Sequence, residues 1–292
     1  MSVDSGTAAD VLPGQLYVVA TPIGNLGDLS PRARTILANV SCVAAEDTRH
    51  TRQLLQAFGF DTPLVSLHEH NEAAKSGELI DRLLSGESLA LVSDAGTPLI
   101  SDPGFDLIAL ARQRKITVIA VPGPCAAIAA LSVAGLPTDR FLFEGFLPAK
   151  STARRAHLQS LANETRTLVF YEAPHRVRDV LADLASVLGA QRPASVSREL
   201  TKRFETTYSG SLSELADLAT RDENFARGEI VIVVAGATHQ ESDAVALDAE
   251  QLLRALLEEL SPAQAAKIAA KISGAKRNDL YNLALRLSGK VD

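Results

Sequence analysis

The sequence predicts an α/β fold of two successive α/β domains with a small helical C-terminal extension. Three observations carry this. Short, wholly apolar, β-rich runs alternate with longer amphipathic runs, the pattern of a mainly parallel sheet covered on both faces. The alternation occurs twice, with a break around Gly135-Leu136-Pro137. The chain has 292 residues, more than the ~250 at which a single core usually stops growing.

The elements follow in order. Residues 1–13 read as a loose terminus. In the first domain, 14–135, the strands are Leu16–Ala20, Cys42–Ala45, Leu64–Leu67, Leu89–Ser93 and Thr117–Val121. Ser30-Pro31 is a cap followed by proline at the first helical position, and it starts a helix through Leu37. Thr48–Phe58, Glu72–Leu84 and Asp106–Gln113 also carry helical spacing. In the second domain, 136–237, the strands are Phe141–Phe143, Leu168–Tyr171, Ala194–Ser197, Thr206–Ser209 and Glu229–Ala235. Helices at Thr152–Leu161, Val177–Leu188 and Ser211–Ala219 lie between them. In 238–292 an acidic linker precedes a basic helical module, with helices at Gln251–Leu260, Ala263–Ile272 and Asp279–Leu287. Thr238–Leu260 holds six acids and one base, whereas Pro262–Asp292 holds six bases and two acids. Helix, short Gly-containing turn, basic helix resembles a small nucleic-acid module; a dimerisation or capping tail fits the pattern equally.

Composition narrows the function. Hydrophobic residues make up 46% and charged residues 22%, which excludes a disordered chain. The net charge of −6 speaks against a protein coated in a general basic field. Cys42 and Cys125 are too few and too far apart for a disulfide framework or a zinc site. No signal peptide opens the chain and no apolar run reaches ~18 residues, so the expectation is a cytoplasmic protein with no membrane partner. No G-x-G-x-x-G, Walker A, H-E-x-x-H or G-x-S-x-G motif occurs. Dehydrogenases, P-loop enzymes, zinc proteases and serine hydrolases lose support.

The chemistry points instead to loops at strand ends. Ala20–Asp28, Ser93–Gly104 and Val121–Ala126 are rich in Gly, Pro, Asp and Thr, and each follows a strand of the first sheet. Any one of them is an ordinary turn composition; three on one sheet suggest a shared ligand site, which in such folds lies beyond the carboxyl ends of the strands. Charged clusters sit nearby. Glu46, Asp47, Arg49, His50 and Arg52 open a helix. His68 and His70 would share one face of an extended chain, but without further ligands at set positions no metal is expected. Tyr171–Arg176 and Ser197–Glu205 follow strands of the second domain.

Taken together, the segments GQLYVVATPIGNLGD, AEDTRHT, HEHNE, SDAGTPLISDPG, VPGPCA, FEGFLP, YEAPHR, RELTKRFE and GEIVIVV resemble the tetrapyrrole methylase superfamily. The likeness is to its ribosomal RNA small subunit methyltransferase I branch. They run in order from Gly14 to Val234. Thr21-Pro22-Ile23-Gly24 and Ser93-Asp94-Ala95-Gly96 replace the glycine-rich first loop and the G-D-P second loop of the porphyrin-acting branch. The resemblance implies a two-domain α/β fold of the tetrapyrrole methylase type with a cofactor cleft between the domains. Its cofactor would be S-adenosyl-L-methionine, bound at Pro22, Asp94, Ala95, Gly96, Thr97, Ser101, Pro122, Gly123, Tyr171, Ile230 and Val231. The implied reaction is 2′-O-methylation of a cytidine ribose in 16S rRNA, at cytidine 1402. The partners would be 16S rRNA or the small ribosomal subunit, and a second copy of the chain in a homodimer.

A ribose hydroxyl needs a proton acceptor, and polar clustering offers Asp47, Glu46 and His70. Arg49, Arg52, Arg176, Arg198, Lys202 and Arg203 are the candidate contacts to RNA phosphate. The alternatives are a precorrin-type tetrapyrrole C-methyltransferase and a non-catalytic RNA-binding assembly protein.

Overall fold

The structure, a computed structural model, describes residues 11–238 and 243–288. The first sheet comprises β1 (Gln15–Val19), β2 (Cys42–Ala45), β3 (Leu64–Ser66), β4 (Leu89–Val92) and β5 (Thr117–Val121). All neighbours are parallel, in the order β3-β2-β4-β1-β5. Alternate side chains leave opposite faces. Tyr17, Val19, Val43, Ala90 and Val92 meet α1 (Pro31–Asn39) and α2 (Thr48–Ala57) on one face. Leu16, Cys42, Ala44, Leu89 and Leu91 meet α3 (Glu72–Leu84) and α4 (Phe105–Gln113) on the other. The apolar strand runs are thus explained by burial on both sides. Ser30 caps α1, its hydroxyl accepting from Ala33 N–H at 3.1 Å, with Pro31 in the first turn. The chain leaves β1 toward β2 and leaves the adjacent β4 toward β5, in opposite directions. A crevice therefore opens above the carboxyl ends of β1 and β4.

The second sheet comprises β6 (Phe141–Phe146), β7 (Thr167–Glu172), β8 (Pro193–Arg198), β9 (Thr206–Ser211) and β10 (Ile230–Val234), in the order β6-β7-β10-β8-β9. Here β6 and β7 are parallel and every other pair is antiparallel. The alternation of strands and helices hides this. The physical reason lies in the short link between Arg198 and Thr206: a parallel crossover needs about a dozen residues or more. One face of the sheet packs on α6 (Ser151–Ser160), α7 (Val177–Leu188) and α8 (Leu212–Arg221) through Leu168, Phe170, Val196, Ile230 and Ile232. The other face presents Val169, Val231 and Val233 to α5 (Ala126–Val133). The apolar helix that ends the first set therefore covers the second sheet. Both sheets belong to one compact unit, which ends at Ala237.

A second compact unit begins at Thr238. It holds α9 (Asp243–Leu257), α10 (Pro262–Ser273) and α11 (Arg277–Leu287). The acidic segment read from sequence as a linker is largely helix; its Ala, Leu, Glu and Gln content favours that state. Ser261 and Gln264 form a capping box at the start of α10, and Gly274, at φ +73°, closes it. Leu253, Ala265, Ala266, Ala269, Leu280 and Ala284 form the core of this unit. Among the described residues no helix is long and apolar enough to cross a membrane.

Candidate active site

Three loops meet above the carboxyl ends of the first sheet, and hydrogen bonds fix them to one another. Thr21 N–H donates to Gly96 O at 2.8 Å, and Gly96 N–H returns to Thr21 O at 3.1 Å. The Thr97 hydroxyl donates to Pro124 O at 2.9 Å. The far end of the 94–104 loop is held by Glu72, a buried carboxylate from α3. Its Oε1 accepts from the N–H groups of Gly104 at 3.1 Å and Asp106 at 2.7 Å, which caps α4 in place of a local residue. Gly104 sits at φ +128°, and a Cβ there would lie 2.8 Å from the Leu91 side chain. Two non-glycine residues of this loop, Leu99 and Ser101, adopt φ of 72° and 68°. Such strain clusters at ligand-binding segments.

Between this loop layer and the second sheet lies a cleft of about 470 Å³, in the ~300–1,000 Å³ range of small-ligand sites. Ile23, Ala95, Gly96, Thr97, Ile100 and Ser101 line it from the first sheet's loops; Phe146, Tyr171, Leu200, Ile230 and Val231 line it from the second. The Tyr171 hydroxyl accepts from Ala127 N–H at 3.1 Å, at the start of α5. Phe143 and Phe146 pack edge-on against its ring at 4.9 and 5.7 Å. Burial raises the Tyr171 phenol well above its ordinary range.

The polar lining is one-sided. Glu46, Asp94, Asp102, Glu172 and Glu229 contribute carboxyl groups, and no Lys or Arg lines the cleft among the described residues. Desolvation pushes the Asp102 carboxyl up to about 6; the neighbouring Asp94 adds to the rise, and the Ser93 hydroxyl opposes it. Desolvation also raises Glu46, with Asp102 and Asp94 adding repulsion. Burial raises Glu172, against the pull of the Ala173 N–H and of Arg176. Glu172 is 3% exposed, and its Oε2 has no hydrogen-bond partner.

The residues proposed from sequence divide accordingly. Asp94, Ala95, Gly96, Thr97, Ser101, Tyr171, Ile230 and Val231 come together in the cleft, with Glu46. Pro22, Pro122 and Gly123 do not line it; Gly123 packs so tightly on Ala20 that a Cβ would approach Ala20 Cβ to 3.0 Å. Asp47 is the cap of α2. It accepts from Arg49 N–H at 2.8 Å and holds the Arg49 guanidinium at 2.6 Å, which keeps its carboxyl far below the usual carboxylate range. His70 is exposed and outside the cleft. Among the described residues no group of three or more His, Cys, Asp or Glu could hold a metal ion.

The basic candidates divide too. Arg176 donates to Leu147 O at 2.6 Å and lies 3.2 Å from Glu172 Oε1. Arg198, 8% exposed, donates to the carbonyls of Phe204 at 3.0 Å and Arg227 at 3.3 Å. Lys202 bridges Glu199 at 3.0 Å and Glu229 at 3.2 Å. Arg49, Arg52 and Arg203 are exposed, the last with its guanidinium 5.5 Å above the Phe204 ring. Sequence reasoning passed over Asp102, Glu172, Phe146 and Leu200. All four stood inside quoted motifs, yet nothing local separates them from turn, salt-bridge and core residues.

Comparison with known proteins agrees with this architecture. Residues 15–216 match the Tetrapyrrole (Corrin/Porphyrin) Methylases, and residues 243–288 match the RsmI C-terminal HTH domain. A Ribosomal RNA small subunit methyltransferase I from Xylella fastidiosa is 59% identical over 92% of this chain and 98% of its own. One from Pseudomonas aeruginosa is 54% identical over 95% and 99%. A crystal structure of uroporphyrin-III C-methyl transferase from Thermus thermophilus, complexed with S-adenyl homocysteine, shares the fold. Its TM-score is 0.52 at 17% identity, covering 75% of this chain and 96% of that one. The fold and site thus define a methyltransferase class built on two sheets around a cleft. The chain belongs to the tetrapyrrole methylase family, in its ribosomal RNA small subunit methyltransferase I branch.

Proposed function

We propose that this chain transfers a methyl group from S-adenosyl-L-methionine to a ribose 2′-oxygen of 16S rRNA, at cytidine 1402. The observation that carries the reading is the cleft's charge: Glu46, Asp94 and Asp102 line it with no Lys or Arg among the lining residues described, against apolar walls, whereas Glu172 and Glu229 are paired with Arg176 and Lys202. That lining suits a net cationic ligand such as this cofactor, whose sulfonium and ammonium outnumber its one carboxylate. Bound there, the cofactor supplies a methyl group already activated by the cationic sulfur.

The chain's own groups do the rest. Ile23, Tyr171, Leu200 and Val231 give the cleft apolar walls. Low-dielectric walls strengthen the attraction between the carboxylates and a cation. In-line placement of the acceptor oxygen supplies up to ~7–11 kcal/mol of barrier reduction in favourable cases. The remaining need is a proton acceptor for the ribose hydroxyl, typically worth ~10²–10⁴-fold. Asp102 meets it better than the residues singled out from sequence. It lines the cleft and titrates near 6, close to working pH. Asp47 is too acidic in its Arg49 clamp, and His70 stands outside the cleft. Glu46 is the second acceptor on these grounds. Exposed Arg52 and Arg203 are the remaining phosphate contacts on this unit; Arg49, though exposed, is held by Asp47.

The proposal includes a homodimer. Ile128 and Val133 on α5 and Phe141 on β6 are exposed apolar side chains, of the kind a second copy covers.

The test is transfer of labelled methyl from S-adenosylmethionine to small ribosomal subunits from a strain lacking the enzyme, with the labelled nucleotide mapped. Label on a single cytidine 2′-oxygen is the expected result. Cofactor binding without label in RNA would favour tetrapyrrole C-methylation. Absence of cofactor binding would leave a non-catalytic RNA-binding protein.

A further inference from the structure

The helical unit carries one surface with the chemistry of nucleobase recognition. On α11, Asn278, Tyr281, Asn282 and Arg286 recur at the spacing of one helix face, and all four are exposed. Lys276 and Arg277 stand exposed at the start of the same helix, and Asp279 is the one exposed acid of α11. The inward face of α11 is different: Leu280 and Ala284 are buried in the unit's core. Among the described residues, none of Lys276, Arg277 and Arg286 forms an ion pair. The phenol ring of Tyr281 is held on a rigid helix with 39% of the residue exposed. A solvated helix face needs neither two amides nor an outward aromatic.

We propose that this α11 face binds an unpaired segment of RNA, Tyr281 stacking on a base and Asn278 and Asn282 reading base edges. Lys276, Arg277 and Arg286 hold the phosphates. Charge complementarity selects a polyanion. The amides and the ring select exposed bases over a regular RNA duplex, whose major groove is too narrow to read. The outer face of α10 lacks this chemistry: there Lys267 and Lys271 flank the exposed aliphatic side chains Ile268 and Ile272. The inference rests on RNA being the substrate and adds where, outside the catalytic cleft, that substrate is gripped.

The test uses the full chain, a fluorescent unpaired RNA oligonucleotide and the triple variant Arg277→Ala/Tyr281→Ala/Arg286→Ala. RNA affinity should fall about tenfold or more from loss of stacking and charge. The slope of log affinity against log salt should flatten by about 1.4 for two lost single-strand phosphate contacts. KM for RNA should rise while kcat at saturating RNA and S-adenosylmethionine binding stay unchanged. Should the triple variant lose helix by circular dichroism, the single Arg277→Ala and Arg286→Ala variants carry the same reading, each flattening the slope by about 0.7. Wild-type affinity and slope in the variants would overturn the assignment. So would a larger loss from Lys267→Ala/Lys271→Ala, or tighter binding to duplex DNA of equal length. RNA binding lost in the variant while the wild type transfers no methyl to rRNA would support this face and overturn the proposed reaction.

Discussion

The loops of the two sheets carry similar charge in the sequence and use it in opposite ways. Beyond the first sheet, Glu46, Asp94 and Asp102 point acids at one another across a cleft that offers them no Lys or Arg. Beyond the second sheet, Arg176, Arg198 and Lys202 are engaged by carbonyls and carboxylates of their own chain. The first set leaves Glu46 and Asp102 half-buried without a Lys or Arg, while exposed Asp94 accepts from the Asp47 N–H and faces His50; the second neutralises its charge. Uncompensated buried charge is costly and is kept where a ligand completes it. Compensated charge positions loops. A charged motif after a strand is therefore no guide to function until its partners are known.

That contrast can be broken by mutation. The largest effect should come from Asp102→Asn. Removing the proton acceptor should lower kcat by about 10²–10⁴-fold, measured under single-turnover conditions at saturating S-adenosylmethionine, and loss of the carboxylate should also weaken S-adenosylmethionine binding. On the other sheet, Arg198→Ala should act on stability. It removes a buried guanidinium and its charge-assisted bonds to the carbonyls of Phe204 and Arg227 and should cost about 1.5–3 kcal/mol in denaturant unfolding, without changing the salt dependence of RNA binding. Glu72→Ala should cost a similar ~1–3 kcal/mol, because the N–H groups of Gly104 and Asp106 lose their acceptor. It should also loosen the 94–104 loop, seen as faster amide hydrogen exchange there. The smallest effect should come from Asp47→Asn. The amide keeps the capping oxygen, so turnover should stay within about twofold of wild type; a loss comparable to that of Asp102→Asn would return Asp47 to the role of base.

Much of the architecture is legible in the sequence because its signals are local. The apolar runs of β1 to β5 report burial on two faces, and Ser30-Pro31 reports the start of α1 with no help from tertiary structure. The mixed second sheet was hidden because strand direction depends on which strand a segment finds, although the short link from Arg198 to Thr206 already forbids a parallel crossover. The helical start of α9 was obscured by its acids, which mark a solvated surface as readily as a linker.

The site was legible in its loops and not in its charges. Asp94 to Ser101 stood out through turn residues that follow a strand. Asp102 looks like one more turn aspartate until the fold half-buries it beside Asp94. Glu72 sits in a histidine-rich stretch that suggests a ligand site, yet it serves as a cap for α4, thirty-odd residues on. Arg198 looks like an RNA contact until the carbonyls of Phe204 and Arg227 are brought to it.

The most direct test of the central claim is the pH dependence of kcat/KM for S-adenosylmethionine, in wild type and in Asp102→Asn. This ratio reports the free enzyme. Asp102 is raised from an ordinary 3.8 to about 6, so its protonated form persists into the acid range and only the carboxylate attracts the cofactor or accepts a proton. Activity should climb through an inflection near 6. Bound cofactor favours the carboxylate, so the corresponding inflection in kcat should lie lower. The variant should be slow and flat across the same window. A wild-type profile flat from pH 5 to pH 7, or an unchanged inflection in Asp102→Asn, would contradict the account.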